Sequence, residues 1–183
     1  MTPKFKPSWG SNSQQQDIKQ TKGMGKGMLA IAMIVSLGLL TMMFQGAIEK
    51  QANPNQKVKS KTNATGQVEV ILKRNRAGHY VSAGTINGNE VVFLLDTGAT
   101  NVAIGETTAR KLALKPGRAV QVSTANGITT GHQTMIDHLS IGQIILYNVR
   151  AIITPNLSEI LLGMSALKQI EFTQKGNTLV LKQ

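Results

Sequence analysis

No charged residue interrupts the chain between Gly27 and Ile48, GMLAIAMIVSLGLLTMMFQGAI. At a helical rise of about 1.5 Å per residue, about 20 apolar residues match a hydrocarbon core of roughly 30 Å. The run therefore splits the chain into an N-terminal flank, a span and a C-terminal region that must fold apart from it. It is apolar all round and sits between polar flanks, the pattern of a membrane helix rather than of a buried core helix. A cleavable leader wants small residues at −3 and −1. The exits near Gln45-Gly46-Ala47 put Phe44 or Gln45 there, so residues 27–48 read as an uncleaved anchor.

The flanks are polar. Residues 1–26 are rich in Gln, Ser, Lys and Gly and lack apolar periodicity, so a disordered basic tail is expected there. Residues 49–66 contain QANPNQKVKSKTNATG and read as a flexible stalk. Lys19, Lys22 and Lys26 precede the span and Lys50, Lys57, Lys59 and Lys61 follow it, so a count of flanking cations does not set its orientation. The shortness of the tail, and the ease with which long C-terminal domains translocate, favour a cytoplasmic N-terminus with the domain outside the cytoplasm.

Of the formal charge of +11, residues 1–61 carry +7 and residues 62–183 carry +4. Basicity concentrated beside a span reads as attraction to anionic lipid. Nucleic acid is not an expected partner, because no stretch interleaves aromatics with Lys and Arg and only 4% of residues are aromatic. With no cysteine, disulfide scaffolds, zinc-thiolate sites and cysteine nucleophiles are excluded.

From Gln67 onward short β-rich runs alternate with turn signals. Strands are expected at Val68–Lys73, His79–Ile86, Val91–Leu95, Val102–Ile104, Ala119–Thr124, Ile128–Leu139, Ile144–Thr154 and Thr178–Leu181. Asn87-Gly88 and Asn126-Gly127 have the composition of type I′ hairpin turns, which need positive φ at both central residues. Glu106–Leu112 and Met164–Lys168 read as two short helices. Residues 67–183 are therefore expected to form a single all-β domain. A closed barrel is favoured over an open sheet, whose edges invite aggregation.

Asp96 follows the apolar run Val91-Val92-Phe93-Leu94-Leu95 and precedes Thr97-Gly98. Alone, an Asp-Thr-Gly tripeptide could be an Asx-turn in which the carboxylate caps its own loop. Its surroundings favour more. Phe93-Leu94-Leu95-Asp96-Thr97-Gly98-Ala99-Thr100 resembles the active-site loop of the retropepsin-like (clan AA) aspartic proteases, where two apolar residues precede Asp-Thr/Ser-Gly-Ala. Ile160-Leu161-Leu162-Gly163, followed by a short helix from Met164, resembles the family's apolar-apolar-Gly segment that threads beside that loop. Between them, Ala119–Thr124 and Ile128–Thr134 resemble the flap hairpin, with Ala125-Asn126-Gly127 at its tip. The tip has one glycine where the viral enzymes often have several. The resemblance covers roughly residues 68–182 and is nearest to the bacterial, membrane-anchored, single-domain branch, which implies a bacterial inner (cytoplasmic) membrane for the span.

This resemblance implies a retropepsin-like barrel and an aspartic endopeptidase. It implies catalytic roles for Asp96, Thr97 and Gly98, and substrate contacts from Ala99, Ala125, Asn126, Gly127, Leu162 and Gly163. Metal-free peptide hydrolysis of this kind uses a water held between two carboxylates that share a proton. The ionised one takes a proton from the water and the protonated one polarises the scissile carbonyl. Two carboxylates about 3 Å apart cannot both ionise cheaply, so they titrate as a pair. The chain holds one Asp-Thr-Gly, so a homodimer with Asp96 from each copy is expected, with a polypeptide as substrate and no cofactor.

Other residues carry weaker signals. His79, His132 and His138, with Asp137, show no metal-ligand spacing, and neighbouring strand residues point to opposite faces, so no metal is expected. Gly163-Met164-Ser165-Ala166-Leu167 lacks the closing glycine of a serine nucleophile elbow, and Ser165 reads as a first-turn helix residue. The competing function is a catalytically silent peptide-binding or scaffolding domain of the same fold.

Overall fold

The computed structural model describes residue 3 and residues 14–63, 66–124 and 127–183. In chain order its elements are α1 (Gln14–Ala52), β1 (Lys59–Thr62), β2 (Val68–Lys73), β3 (Val81–Ile86), β4 (Asn89–Leu95), β5 (Val102–Gly105), α2 (Glu106–Lys111), β6 (Ala119–Thr124), β7 (Gly127–Ile141), β8 (Ile144–Thr154), β9 (Ile160–Leu162), α3 (Met164–Leu167), β10 (Glu171–Lys175) and β11 (Thr178–Lys182). The chain divides into two units, Met1–Ala47 and Ile48–Gln183.

The first unit holds most of α1. Residues Gly25–Ala52 are long and apolar enough to cross a membrane and none of them is buried, which makes them a candidate span; a signal sequence has the same character. Side chains such as Leu29, Ile34 and Phe44 would present a continuous apolar surface to water, which soluble chains avoid. The helix reaches back to Gln14, inside the expected disordered tail. Propagation adds one hydrogen bond per residue once a helix is nucleated, so the Gln- and Lys-rich residues ahead of the span join it at small cost.

The second unit starts earlier than its sequence implies. Within the expected stalk of residues 49–66, the described part up to residue 63 is built into the fold: α1 runs to Ala52, Asn55 is 4% exposed, and β1 pairs with β2 from Lys59↔Ile71 to Thr62↔Val68. Asn55 is the reason. Its Nδ2 donates to the carbonyls of Lys73 (2.9 Å) and Val81 (2.6 Å), and its Oδ1 accepts from the Lys73 N–H (2.7 Å). These bonds satisfy a buried amide and offset the entropy of ordering the segment.

The strands form two sheets. One has the order β1-β2-β11-β10, and the other β3-β4-β9-β5-β8-β7-β6. An additional β3–β7 pairing at Thr85↔Ser140 and Ile86↔Leu139 joins the larger sheet into a closed ring of β3, β4, β9, β5, β8 and β7. This is the expected barrel. Its interior is filled by the inward positions of alternating strands, among them Phe93, Ile86, Ile104, Leu146 and Leu162. Each such side chain contributes about 1.5–3 kcal/mol by leaving water.

Closure depends on a change of phase in the long hairpin. Along β7 the buried positions pass from Ile136 to Leu139, and along β8 from Val149 to Leu146, so both strands skip a beat at Asp137 and Asn148. Asn148 takes φ 52°, a left-handed conformation that asparagine tolerates better than most residues. There the backbone of β7 turns to the β3–β4 hairpin, where Asn87 N–H donates to the His138 carbonyl (2.9 Å) and Asn87 Oδ1 accepts from the His138 N–H (3.0 Å). The turn itself is as expected, with φ 47° at Asn87 and 82° at Gly88.

Candidate active site

The loop carrying Asp96 leaves the C-terminal end of β4 and is held from below by β9. Strand β9 pairs in parallel with β4 (Phe93↔Ile160, Leu94↔Leu161, Leu95↔Leu162) and antiparallel with β5 at Ala103↔Leu161. It thus lies between the two strands that the loop connects. The Asp96 N–H donates to the Leu162 carbonyl (3.1 Å) and the Ala99 N–H to the Asp96 carbonyl (3.3 Å). Beyond Gly163 the chain closes on the other limb: the Met164 N–H donates to the Ala99 carbonyl (2.8 Å) and the Ser165 N–H to the Thr100 carbonyl (2.9 Å). The segment Leu162–Ser165 therefore clasps the loop at both ends.

Only glycine permits that clasp. A Cβ on Gly163 would lie 2.3 Å from the Asn101 carbonyl oxygen and 2.6 Å from that of Ala99. Ser165 adds a cross-tie, its buried hydroxyl donating to the Arg150 carbonyl (2.7 Å) and accepting from the Val102 N–H (2.9 Å). This is a structural role for Ser165, in keeping with a helix residue and not a nucleophile.

Asp96 is half-buried, while Thr97 and Gly98 are exposed. Asp96 Oδ1 accepts from the Gly98 N–H at 2.8 Å, the geometry of an Asx-turn. Among the described residues no other donor is bonded to the carboxylate, so its second oxygen is available. Asp96 and Thr97 border a cleft of about 300 Å³ whose other walls include Arg74, Tyr80, Leu95, Phe172 and Leu179. The Tyr80 carbonyl accepts from the Leu95 N–H (2.9 Å), which fixes the residue before Asp96. The Arg74 guanidinium lies 5.3 Å from the centre of the Tyr80 ring. The Tyr80 hydroxyl and Arg74 Nε are buried without a hydrogen-bond partner among the described residues.

The structure thus brings Asp96, Thr97, Gly98 and Ala99 together with Leu162 and Gly163, but in two different capacities. Leu162 and Gly163, expected to touch substrate, are both buried, and they support the loop through their backbone. Gly127 belongs to a separate element, the hairpin of β6 and β7, where Thr124 pairs with Gly127 and the Thr124 hydroxyl donates to the Gly127 carbonyl (2.8 Å). Ala125 and Asn126, the other two expected tip residues, lie outside the described residues. Arg74, Tyr80 and Phe172 had no sequence signal linking them to Asp96, since they reach it through three different strand connections.

No group of three His, Asp or Glu side chains gathers among the described residues in a way that could hold a metal ion. His138 instead packs edge-on against Tyr147, ring centres 5.1 Å apart.

Comparison with known proteins agrees with this geometry. A family model described as a gag-polyprotein putative aspartyl protease matches residues 82–169. An uncharacterised protein of Sinorhizobium sp is 36% identical over 118 residues, covering 62% of this chain and 51% of the relative. An uncharacterised protein of Rickettsia prowazekii is 28% identical over 107 residues, 56% of this chain and 46% of the relative. The chain spans about half the length of the curated relatives it matches. Among solved structures, a retropepsin-like aspartic protease from Rickettsia conorii superposes with a TM-score of 0.56 at 28% identity, over 69% of this chain and 95% of that one.

Proposed function

The chain belongs to the retropepsin-like (clan AA) aspartic proteases, and on that premise we propose that it is a membrane-anchored aspartic endopeptidase acting as a homodimer. The observation that carries the reading is the clasped loop: Asp96 at the end of β4, its N–H on the Leu162 carbonyl and its second carboxylate oxygen unengaged. A carboxylate held this firmly, yet only half-buried, is preorganised for work at the surface. One carboxylate cannot both accept a proton from water and donate one to the substrate carbonyl, so a second copy supplies the other. Thr97 and Gly98 lie beside Asp96 on the exposed side of the loop, where Thr97 would bond across a two-fold axis and Gly98 would meet substrate backbone. An extended polypeptide under the β6–β7 hairpin would pair with it as an added strand. Ala99 and the hairpin tip of Ala125, Asn126 and Gly127 would contribute to that contact.

Residues 27–48 would tether both copies in one membrane plane and raise their effective concentration. The expected topology has the N-terminus in the cytoplasm and the barrel outside it, with residues 67–183 as the protease domain.

Replacing Asp96 by Asn should abolish pepstatin-sensitive cleavage of denatured proteins while leaving the circular dichroism spectrum unchanged. Mixing Asp96→Asn with unaltered chains should depress activity below the unaltered fraction, because mixed dimers carry one carboxylate. Activity that persists in the variant, or falls strictly in proportion to dilution, would refute the reading. A silent peptide-binding domain would bind the same polypeptides without cleaving any of them.

A further inference from the structure

A second concavity, of about 660 Å³, opens beyond the far end of the catalytic loop. Its walls include Thr100 and Asn101, which follow Ala99 directly, and Gly117 and Arg118, which lead into β6. Arg118, Arg150 and Lys168 all border it, and no acidic residue does. All three are exposed, and among the described residues none forms an ion pair; the one salt bridge found joins Lys182 to Glu69. Three of the eleven cations in residues 62–183 thus meet at one groove with nothing to neutralise them, although seven acids occur in the same stretch.

The groove is firmly built. The Gly117 N–H donates to the Gln133 carbonyl (2.8 Å), the Gln133 N–H to the Arg118 carbonyl (2.9 Å) and the Thr134 hydroxyl to the Lys115 carbonyl (2.9 Å). These bonds fix the chain ahead of β6 against β7. On the opposite side the Arg150 carbonyl is tied to Ser165, and the Thr100 carbonyl to the Ser165 N–H. Its volume lies in the range of about 300–1,000 Å³ common to ligand pockets.

We propose that this groove is an extended subsite that selects substrates carrying acidic residues some way from the scissile bond, an inference that rests on the endopeptidase reading. A chain lying between the catalytic loop and the β6–β7 hairpin leaves the site where the loop ends and the hairpin begins, and those two places, Thr100–Asn101 and Gly117–Arg118, form the groove's margins. Concentrated positive charge in a concavity focuses field on an incoming anion and steers it. The concave shape favours a polypeptide's carboxylates over a flat lipid surface. The contribution is to binding and capture, and it is screened by salt.

The test uses the full-length chain in detergent and two peptide libraries with the same randomised apolar centre, one flanked by Glu-Glu and the other by Gln-Gln. Unaltered protein should cleave the Glu-flanked library with a kcat/KM about tenfold higher, as expected for two glutamates forming exposed charge pairs at the upper end of their usual strength. In the triple variant Arg118→Gln, Arg150→Gln, Lys168→Gln, and in 1 M salt, that ratio should fall to about one. Lys73→Gln, an exposed position on β2 outside the groove's lining, should keep it. Equal cleavage of both libraries by unaltered protein, or a ratio that survives the triple substitution, overturns the proposal. If neither library is cleaved, the endopeptidase reading fails, and fluorescence anisotropy of a Glu-flanked peptide on Asp96→Asn protein decides the groove separately. Binding lost in the triple variant upholds the anion site, and binding unchanged by it overturns it. Tighter binding of glycerol 1-phosphate than of the peptide would make the groove a lipid-headgroup site and also overturn it.

Discussion

Replacing Gly163 by Ala asks for room where backbone already stands. The new methyl would sit 2.3 Å from the Asn101 carbonyl oxygen, 2.6 Å from that of Ala99 and 2.7 Å from the Asn101 carbonyl carbon. None of these is a flexible side-chain end, so the loop or the α3 segment must move by most of an ångström. Overpacking of this kind costs about 1–3 kcal/mol. Movement also stretches the Met164 N–H bond to the Ala99 carbonyl and the Ser165 N–H bond to the Thr100 carbonyl, each worth about 1 kcal/mol. A total loss of about 3–5 kcal/mol is then expected, a large part of the about 5–15 kcal/mol that holds an ordinary domain. With a urea slope of about 2 kcal/mol per molar, the unfolding midpoint should drop by about 2 M. Gly88→Ala is the control: its φ of 82° strains an alanine, but no atom lies within 4 Å, so only about 1 kcal/mol is at stake. The assay is urea unfolding of the full-length chain in detergent, followed by the strand band in circular dichroism. If Gly163→Ala unfolds at the same urea concentration as Gly88→Ala, the close approach described at the clasp is not the reason for a glycine there.

Two further perturbations address the supports of the same loop. Ser165→Ala removes a hydroxyl bonded on both sides within a buried site, and should destabilise the domain by about 2–4 kcal/mol in the same unfolding assay; full stability combined with lost cleavage would instead make Ser165 a reactive group. Asn55→Ala breaks three bonds to β2 and β3, and should lower stability by about 2–4 kcal/mol and speed amide exchange across residues 53–62; unchanged exchange would return that segment to the status of a free stalk.

The parts of the fold legible in the sequence are those where local pattern and final environment coincide. β2 appears where alternation places it, with Val70 and Leu72 buried and Lys73 exposed, and β8 alternates on either side of its break at Asn148, while β6 alternates only between exposed and half-buried positions. β1 (KSKT) and β10 (EFTQK) carry no such pattern; they are edge strands of the smaller sheet, ordered by pairing with β2 and β11. Asn55 was illegible for a related reason, since a polar residue after a proline looks solvated unless the carbonyls it will meet on Lys73 and Val81 are known. The Asp96 loop and its β9 partner were legible as motifs. What the motif could not convey was how deeply its second segment is set, with Leu162 and Gly163 buried and their backbone supporting the loop from beneath. Arg74, Tyr80 and Phe172 come to the Asp96 cleft by sheet topology alone, and no sequence spacing encodes that.

The arrangement around Asp96 bears on why such a chain would act in pairs. The scaffold invests its buried contacts below the loop: Leu162 is fully buried, Gly163 admits the close approach, and Ser165 ties β5 to β8. Above the loop it leaves Thr97 and Gly98 exposed and places no donor of its own on the second oxygen of Asp96 among the described residues. A structural Asx-turn needs only the bond from Gly98, and that bond exists. It does not need a clasp from a strand threaded between β4 and β5, which costs the fold a glycine and a crossover. Rigidity of that kind serves a carboxylate that must meet a partner group in one geometry, and within this chain no second Asp-Thr-Gly offers that group. The depression of activity by Asp96→Asn chains therefore tests the logic of the fold as well as the chemistry: a clasped loop that works alone would leave its own rigidity without a purpose.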